Sequence, residues 1–190
     1  MKRIFIDIET TGVDPMKHGI TQIAAIIPAE GDREERVFTS NVRPFPTDLI
    51  DDEALKVTGV SKEDMDSYPL PDEVHKKFKA FMSNFVNPYD RLDKFAFCGY
   101  NCQTFDYPFL RKWFEKCGDK YFGSWFWWPT IDIAIKAMDV VKDRHTYPNF
   151  KLTTVCQKVG MEWDEHLAHE ALYDIRKTME LYFNIKQMEL

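Results

Sequence analysis

The N-terminal half of the chain contains short stretches in which apolar and polar positions alternate, a pattern typical of β-strands. Residues 2–9, KRIFIDIE, predict a first strand, and residues 20–27 and 36–42 predict a second and a third. The connections between them are short, and a Gly-Asp pair at 31–32 lies in the second one. Such connections favour antiparallel neighbours. Residues 94–101, KFAFCGYN, predict a fourth strand.

Helical spacing of apolar residues marks the remaining elements. One helix is predicted to follow Pro71, and Gly118 is a typical stop for the next one. Strands followed by an alternation of strand and helices predict an α/β fold. We expect a mixed sheet of about five strands, the first three of them antiparallel, flanked by helices. Further helices are predicted over residues 105–118, 130–141, 151–159 and 169–188.

Composition and charge fit a single folded domain over residues 1–190. Hydrophobic residues make up 44% of the chain and charged residues 29%, as in ordinary globular proteins. The net charge of −6 argues against a broad surface that coats nucleic acid. An enzyme that grips a few nucleotides is still compatible with it, because bound cations would offset a cluster of carboxylates.

The chain carries no pattern of a secreted or membrane protein. No stretch has the length and hydrophobicity of a transmembrane helix, and Asp7 interrupts the apolar run after the basic start. The cysteines show neither a secreted disulfide pattern nor a second ligand pair for zinc, so we expect reduced thiols. The expectation is a soluble, cytoplasmic protein without a membrane partner. The cysteines are Cys98, Cys102, Cys117 and Cys156.

Two carboxylates, Asp7 and Glu9, interrupt the first predicted strand. Because side chains alternate along a strand, both share a face with Phe5, while the isoleucines at 4, 6 and 8 share the other. Like charges this close raise at least one pKa unless a cation neutralises them. Carboxylate oxygens with room for water and phosphate suit Mg²⁺ or Mn²⁺. The alternative is that both carboxylates lie at the wet end of the strand and begin a turn with Gly12.

Three further residues stand near predicted helix starts. Asp106 lies in the first turn of the helix over 105–118, where the helix dipole favours a carboxylate. Asp174 lies early in the last predicted helix, five residues after His169. Each of them alone is more typical of a helix-start or surface residue than of a functional site. Their order along the chain, after the two carboxylates of the first strand, is what indicates a shared site.

Taken together, these segments resemble the motifs of the DnaQ-like 3′–5′ exonucleases, the DEDDh branch of the ribonuclease H-like superfamily. FIDIETTG resembles the first motif, YNCQTFDYPFL the second, usually H-N-x-x-F-D-x-x-F-L, and HEALYD the third, H-x-A-x-x-D. The chain also resembles the family in three further segments, ALKVTGVSKEDM, TIDIAIKAM and KLTTVCQKVGM. In TIDIAIKAM, Asp132 is the acidic residue that the family usually has there. The resemblance covers nearly the whole chain and implies a ribonuclease H-like fold.

The resemblance implies metal-dependent hydrolysis of the terminal phosphodiester bond of a nucleic acid, with release of a nucleoside monophosphate. It implies two divalent cations, Mg²⁺ or Mn²⁺, and His169 as the general base. It also implies contacts to the terminal nucleotide from Thr10, Thr11 and Phe105, with Asn101 orienting the second motif. The implied metal ligands are Asp7, Glu9, Asp106 and Asp174.

Two positions depart from the usual family pattern. Tyr100 stands where many relatives have His, and Ile133 stands where they have Thr. The other branch of the superfamily has Tyr four residues before the last Asp, where this chain has Glu170. His169 therefore fits the histidine branch, whereas the spacing of the nearby His166 to the last Asp does not.

The substrate and its partners stay open at this point. The TTG sequence after Glu9 slightly favours a DNA-directed enzyme that acts on single strands or mismatched 3′ ends. The main alternative is an RNA-directed enzyme of the ribonuclease T or oligoribonuclease kind. A non-catalytic nucleic-acid-binding module is disfavoured by the complete set of carboxylates together with His169. The sequence allows both a monomer and a homodimer.

An aromatic stretch and a basic loop are further candidate contacts. Residues 121–129, YFGSWFWWP, offer rings that stack on bases if they are exposed, but core or dimer packing is the favoured interpretation for most of them. For Phe105, core packing and a nucleotide contact are equally favoured. The loop KDRHTYPNFK is a candidate phosphate-contacting rim or a solvated loop. Its basic members are Lys142, Arg144, His145 and Lys151.

Overall fold

The computed structural model describes residues 1–141 and 143–188, without the side chain of Met188. Its centre is a five-stranded mixed sheet in the order β3-β2-β1-β4-β5. The pairs β1–β2 and β2–β3 are antiparallel, while β4 and β5 run parallel to β1. The prediction of a mixed sheet with three antiparallel strands first is confirmed. The strands are β1 Arg3–Thr10, β2 Ile20–Ile27, β3 Arg36–Asn41, β4 Ala96–Gly99 and β5 Ile131–Asp132.

Helices cover both faces of this sheet. Two short ones, α1 and α2, lie where the sequence predicted no element, and the side chains of Asp51 and Ser61 cap their first turns. None of the described helices is both long and apolar enough to cross a lipid bilayer. The described α-helices are α1 Asp52–Thr58, α2 Lys62–Asp66, α3 Pro71–Ser83, α4 Asp106–Lys116, α5 Ile133–Val140, α6 Leu152–Lys158 and α7 Ala171–Met188.

The prediction of a helix over residues 130–141 is wrong at its start. Ile131 and Asp132 form β5, because they pair with the end of β4 at the edge of the sheet. The side chain of Asp132 then accepts a hydrogen bond from the N–H of Ala134 and begins α5. Over so few residues, the alternation Ile-Asp-Ile fits the period of a strand and that of a helix equally well. Whether these residues form a strand is therefore decided by their pairing with β4.

Two hydrophobic cores lie on opposite faces of the sheet, and β1 contributes to both. Ile4, Ile6 and Ile8 are buried in one core together with apolar residues of α3 and α4. Phe5 is buried in the other core, together with residues of α5 and α7. The predicted division of the first strand into two faces is confirmed. Asp7 and Glu9 continue the face of Phe5, so β1 brings them to the side of the sheet that α7 covers.

Candidate active site

The strands β1 and β2 set the position of the first two carboxylates. In their antiparallel register Asp7 lies opposite Ala24, and Glu9 lies opposite Gln22. Both carboxylates are partly buried. β1 pairs with β4 only over its first residues, so the two parallel strands part before they reach Asp7. Clefts at the carboxyl ends of parallel strands are common places for ligands.

Asp106 lies where β1 and β4 part. It is the first residue of α4 and is only 3% exposed. Its Oδ1 accepts a hydrogen bond of 3.2 Å from the backbone N–H of Ile8. Because Ile8 lies between Asp7 and Glu9, this bond fixes the third carboxylate beside the first two.

The last helix and the turn before it supply Asp174 and His169. Asp174 lies in the first turn of α7, and its Oδ2 accepts a hydrogen bond of 3.3 Å from the backbone N–H of His169. The Oδ1 of Asp174 is buried and has no hydrogen-bond partner in the described structure. His169 is exposed and has a left-handed φ of 66°. Ligand atoms of Glu9, His169 and Asp174 all lie within 4.8 Å of one another.

The four carboxylates disfavour one another's ionisation. Burial, and then the charges of the other three carboxylates, raise the pKa of Asp7 well above its usual range. Burial, and then the charges of Asp174 and Asp106, raise the pKa of Glu9 to about 8. Burial also raises the pKa of Asp106 to about 7 and that of Asp174 to about 6. Carboxylates held together in this way require a positive counter-charge to ionise fully at neutral pH.

This set of side chains fits a hard divalent cation. Carboxylate oxygens are the ligands that Mg²⁺ and Mn²⁺ prefer. The unpartnered Oδ1 of Asp174 is a buried acceptor without a protein donor, which a cation would satisfy. A cation at this position would also lower the raised pKa values of all four carboxylates.

Asp132 holds the loop that leads from β4 to Asp106. Its Oδ1 accepts a hydrogen bond of 3.0 Å from the N–H of Asn101, and its Oδ2 accepts one of 3.2 Å from the N–H of Gln103. Asn101 has a left-handed φ of 55°, and its side-chain oxygen accepts a hydrogen bond from the hydroxyl of Thr104. Asn101 and Asp132 therefore shape the approach of the chain to the third carboxylate.

The TTG turn that ends β1 is closely packed. The hydroxyl of Thr10 donates to the carbonyl of Gly12 at 2.7 Å, and that of Thr11 donates to the carbonyl of Leu49 at 2.6 Å. A Cβ on Gly12 would come within 2.4 Å of the His18 ring, so only glycine fits there. Because the Thr10 hydroxyl donates within the turn and the Thr11 hydroxyl donates to the segment before α1, the nucleotide contact predicted for the two threonines stays a prediction that involves their backbone.

Gln22 supports the site and was missed in the sequence. It lies opposite Glu9, and its Oε1 accepts a hydrogen bond of 2.9 Å from the N–H of Ala171, the first residue of α7. This bond joins the strand beside Glu9 to the segment between His169 and Asp174. A glutamine in a strand gives no signal of such a contact, because the contact depends on where a distant helix packs.

The aromatic stretch divides between core and surface. Trp125 and Phe126 are buried, as the favoured interpretation expects, whereas Trp128 is 60% exposed. The centre of the Trp128 ring lies 5.3 Å from that of Tyr107. Since Tyr107 directly follows Asp106, the exposed Trp128 ring packs against the first turn of the helix that begins at the site.

Three other residues singled out from the sequence have defined surroundings. Phe105 is partly buried against the core, with its ring centre 5.0 Å from that of Phe109. Tyr100, which replaces the usual histidine, donates its hydroxyl to the carbonyl of Phe150 at 2.7 Å. His166 is exposed, and among the described residues it is not part of the group of mutually close ligand atoms.

The candidate phosphate-contacting rim is described only in part. Arg144 and His145 are exposed in a short 3₁₀ turn, and Lys151 is exposed just before α6. The guanidinium of Arg144 lies 5.7 Å from the centre of the Phe150 ring. Lys142 lies outside the described residues. A phosphate contact at this rim stays a prediction.

Comparisons with known proteins give one consistent family. A family model described as Exonuclease matches residues 4–182. The chain is 27% identical over 188 residues to a ribonuclease T of Hahella chejuensis, covering 96% of this chain and 82% of that protein. It is 28% identical over 186 residues to the 3′–5′ DNA exonuclease Cap18 of Escherichia coli, covering 95% of this chain and 90% of that protein. It is 27% identical over 185 residues to a PolC-type DNA polymerase III of Thermotoga petrophila, covering 97% of this chain but 12% of the polymerase.

A solved structure with the same fold is E. coli Exonuclease I in complex with a dT13 oligonucleotide. It matches with a TM-score of 0.76 at 19% identity, covering 99% of this chain and 41% of that chain. The match shows the fold, and the predicted ribonuclease H-like sheet is confirmed. The chain thus spans less than half of Exonuclease I and a small part of the polymerase, but most of ribonuclease T and Cap18.

Proposed function

The chain belongs to the exonuclease family, and we propose that it removes nucleotides one at a time from the 3′ end of a nucleic acid with the help of two divalent cations. The predictions of this family and of a hydrolytic exonuclease are confirmed. The observation that carries the finer proposal is the convergence of four carboxylates with raised pKa values and one histidine.

The carboxylates are the proposed metal ligands. Asp7 and Glu9 present oxygens from β1, Asp106 from the start of α4, and Asp174 from the first turn of α7. When bound, Mg²⁺ or Mn²⁺ lowers the pKa of an attacking water and stabilises charge on the leaving 3′ oxygen. The protein keeps these oxygens in place through the bond from Ile8 to Asp106 and the bond from His169 to Asp174.

His169 is the proposed general base. Imidazole is the side chain best suited to accept a proton near neutral pH. His169 is exposed, one of its ring nitrogens lies within 4.8 Å of a carboxylate oxygen of Glu9 and of one of Asp174, and its backbone N–H donates to Asp174. The exposed position leaves the ring free to meet a water molecule that attacks a phosphate at the carboxylates.

The terminal nucleotide is proposed to lie on the turn after Glu9 and against α4. The backbone of Thr10 and Thr11 would hold its sugar, and the exposed part of Phe105 would contact its base or sugar. Asn101 keeps the loop before Asp106 in place. The product of each cycle is a nucleoside monophosphate.

Single-stranded DNA or a mismatched 3′ end is the substrate that we favour. The exposed ring of Trp128 offers a stacking surface to an unpaired base, which the interior of a duplex does not present. RNA is the alternative, because relatives named as a ribonuclease and as a DNA exonuclease are similar to this chain to nearly the same extent. We place the reaction in the cytoplasm, since the four cysteines are free thiols.

Digestion of 5′-labelled oligonucleotides tests the proposal. Single-stranded DNA, duplex DNA and RNA are each incubated with Mg²⁺, Mn²⁺ or a chelator. We expect a ladder that shortens from the 3′ end with either metal, and no cleavage in the chelator or in Asp7→Asn. His169→Ala should lower turnover at least about a hundredfold while oligonucleotide binding is kept. His166→Ala is the matched control and should cleave like the wild type.

Three outcomes would contradict parts of the proposal. No cleavage of any substrate with either metal would make the chain a nucleic-acid-binding module. Cleavage that continues in the chelator would exclude the metal-dependent reaction. An equal loss of binding and turnover in His169→Ala would exclude its role as the base. The substrate that is degraded fastest identifies the physiological class.

A further inference from the structure

An ion pair is buried at the end of α4 that lies opposite to Asp106. Asp106 is the first residue of this helix and Lys116 is the last, so about 15 Å of helix separate them. The Nζ of Lys116 is paired with the Oδ1 of Asp48, and the two side chains are only 19% and 2% exposed. Taking such a pair out of water costs free energy, and apolar residues of similar volume often serve the fold equally well. What the pair holds together is therefore a better indication of its role than its contribution to stability.

The pair joins α4 to two separate loops. The Nζ of Lys116 also donates to the carbonyl oxygen of His18 at 3.3 Å. The Oδ2 of Asp48 accepts a hydrogen bond of 2.9 Å from the N–H of Phe45. A Cβ on Gly19 would lie 2.4 Å from this Oδ2, so the carboxylate packs directly against the backbone at Gly19. The last turn of α4, the loop after the TTG turn and the loop before α1 thus meet at one point.

Both loops are bonded to Thr11 in the TTG turn. The N–H of Thr11 donates to the carbonyl of Gly19 at 2.9 Å, and its hydroxyl accepts from the N–H of Gly19 at 2.9 Å. The hydroxyl also donates to the carbonyl of Leu49, and the carbonyl of Thr11 accepts from the N–H of Asp51 at 2.8 Å. Gly19 and Leu49 directly follow the two residues that Lys116 contacts. The position of Thr11 is therefore set by these loops, and its carbonyl keeps a second lone pair to which a sugar hydroxyl can donate.

Two contacts thereby connect β1 and its turn to α4. At the start of the helix Asp106 accepts from the N–H of Ile8, and at its end Lys116 holds the loops around Thr11. The first contact fixes a proposed metal ligand, and the second fixes the turn on which the terminal nucleotide is proposed to lie. Because both belong to the same helix, α4 fixes the distance between that ligand and the nucleotide.

We propose that Lys116 and Asp48 are positioning residues that hold the TTG turn, and with it the terminal nucleotide, in place relative to Asp106. The inference rests on the proposed function, because it takes the terminal nucleotide to lie on this turn. A displacement of about 1 Å between reacting groups lowers a rate by as much as about a hundredfold. Loss of the pair should therefore impair the reaction of a substrate that carries a nucleoside, whereas a phosphodiester without a nucleoside does not use the turn.

Two chromogenic diesters separate the positioning of the nucleoside from the chemistry at the metal. Thymidine 5′-(p-nitrophenyl phosphate) carries a nucleoside, bis(p-nitrophenyl) phosphate does not, and kcat and KM of both are measured with Mn²⁺. The double variant Lys116→Met/Asp48→Asn removes both charges together, and the amide oxygen still accepts from the N–H of Phe45. We expect kcat/KM for the thymidine ester to fall at least about tenfold and that for the other ester to change less than about twofold.

A second variant and a control accompany the double variant. Asp48→Asn alone keeps an oxygen for Lys116 and should show a smaller change in the same direction; it decides the comparison if thermal unfolding shows that the double variant is unfolded at the assay temperature. Lys112→Met is the matched control, because Lys112 lies one turn earlier on α4 and is paired with Glu115 of the same helix. Its kcat/KM for both esters should equal that of the wild type.

Three outcomes would overturn the inference. An unchanged kcat/KM for the thymidine ester would show that the ion pair serves the fold alone. Equal losses for the two esters in a folded variant would show a general effect on the site and not on the position of the nucleoside. A wild type that is inactive on both esters is a distinct failure, because it contradicts the proposed function and with it the inference that rests on it.

Discussion

Glu9 is predicted to lower the stability of the metal-free protein. Burial and the charges of Asp174 and Asp106 raise its pKa from 4.5 to about 8. Between these two values the folded state keeps a proton that the unfolded state has lost. The raised pKa therefore costs no free energy of unfolding below pH 4.5. As the pH rises from 4.5 towards 8, the folded protein loses stability relative to the unfolded chain. Glu9→Gln removes the charge and should stabilise the metal-free protein at neutral and alkaline pH.

The size of the effect follows from the pKa. A rise of about 3.5 in pKa is worth about 5 kcal/mol when the group is fully ionised. At pH 7 the folded protein still keeps the proton on Glu9, so the loss in free energy of unfolding is smaller, about 3 kcal/mol. Because the neighbouring carboxylates share the repulsion and solvent reaches part of the side chain, we expect about 2 kcal/mol to remain. For a chain of 190 residues this raises the Tm by about 4–8 °C.

Thermal unfolding in a chelator, followed by circular dichroism between pH 5 and pH 9, measures this difference. The gap in Tm between Glu9→Gln and the wild type should be small at the acidic end and should widen with rising pH. Glu162→Gln, which removes an exposed carboxylate, is the control and should leave the Tm unchanged at every pH. Added Mg²⁺ should raise the Tm of the wild type more than that of Glu9→Gln, because the ion relieves a repulsion that the variant lacks.

A Tm of Glu9→Gln that is equal to or below that of the wild type across the pH range would refute the reasoning. It would mean that hydration or hydrogen bonds compensate the crowded carboxylates without a cation. A constant gap in Tm at all pH values would also refute it, since the cause would then be packing and not ionisation.

Substitutions at three further positions have defined outcomes. Gln22→Leu should destabilise the protein by about 1 kcal/mol in thermal unfolding and lower kcat more than it changes KM, since the N–H of Ala171 loses its acceptor. Gln22→Met keeps the length of the side chain but not the acceptor, and it should lose as much as Gln22→Leu; a Gln22→Met protein that behaves like the wild type would exclude the hydrogen bond as the cause. Asp132→Ala leaves the backbone N–H groups of Asn101 and Gln103 unpaired and should lower the free energy of unfolding in urea by about 2–3 kcal/mol. A smaller loss would mean that the loop adopts another conformation. Trp128→Ala should weaken single-strand binding about fivefold or more in fluorescence titrations, and Trp128→Phe should not; an unchanged affinity would remove the ring from the strand's path.

Local patterns predict much of this molecule. The alternation along β1 and the short turns after it are signals carried by neighbouring residues, and β2 was predicted to the residue. The shared face of Asp7 and Glu9 follows from strand geometry alone. The order of the motifs along the chain then predicts the family. These features need no knowledge of how distant segments pack.

Long-range contacts could not be predicted in the same way. The bond from Ile8 to Asp106 depends on where β1 and β4 part, and the bond from Gln22 to α7 depends on a helix that lies 149 residues further along the chain. Trp125 and Trp128 belong to the same aromatic stretch, yet one is buried and the other exposed. Which ring faces the core depends on the path of the chain towards β5, and β5 itself is defined by its pairing with β4.

The bond between Ile8 and Asp106 has a practical consequence for trapping a substrate complex. Asp106→Ala would remove a metal ligand and also leave a buried backbone N–H without an acceptor, which costs about 1–3 kcal/mol. The Asp106→Ala protein would lack activity and would also have a destabilised β1. Asp7→Asn leaves that acceptor untouched, and Asp106→Asn keeps an oxygen in its place. Inactive protein for crystallisation with an oligonucleotide should therefore carry one of these two substitutions.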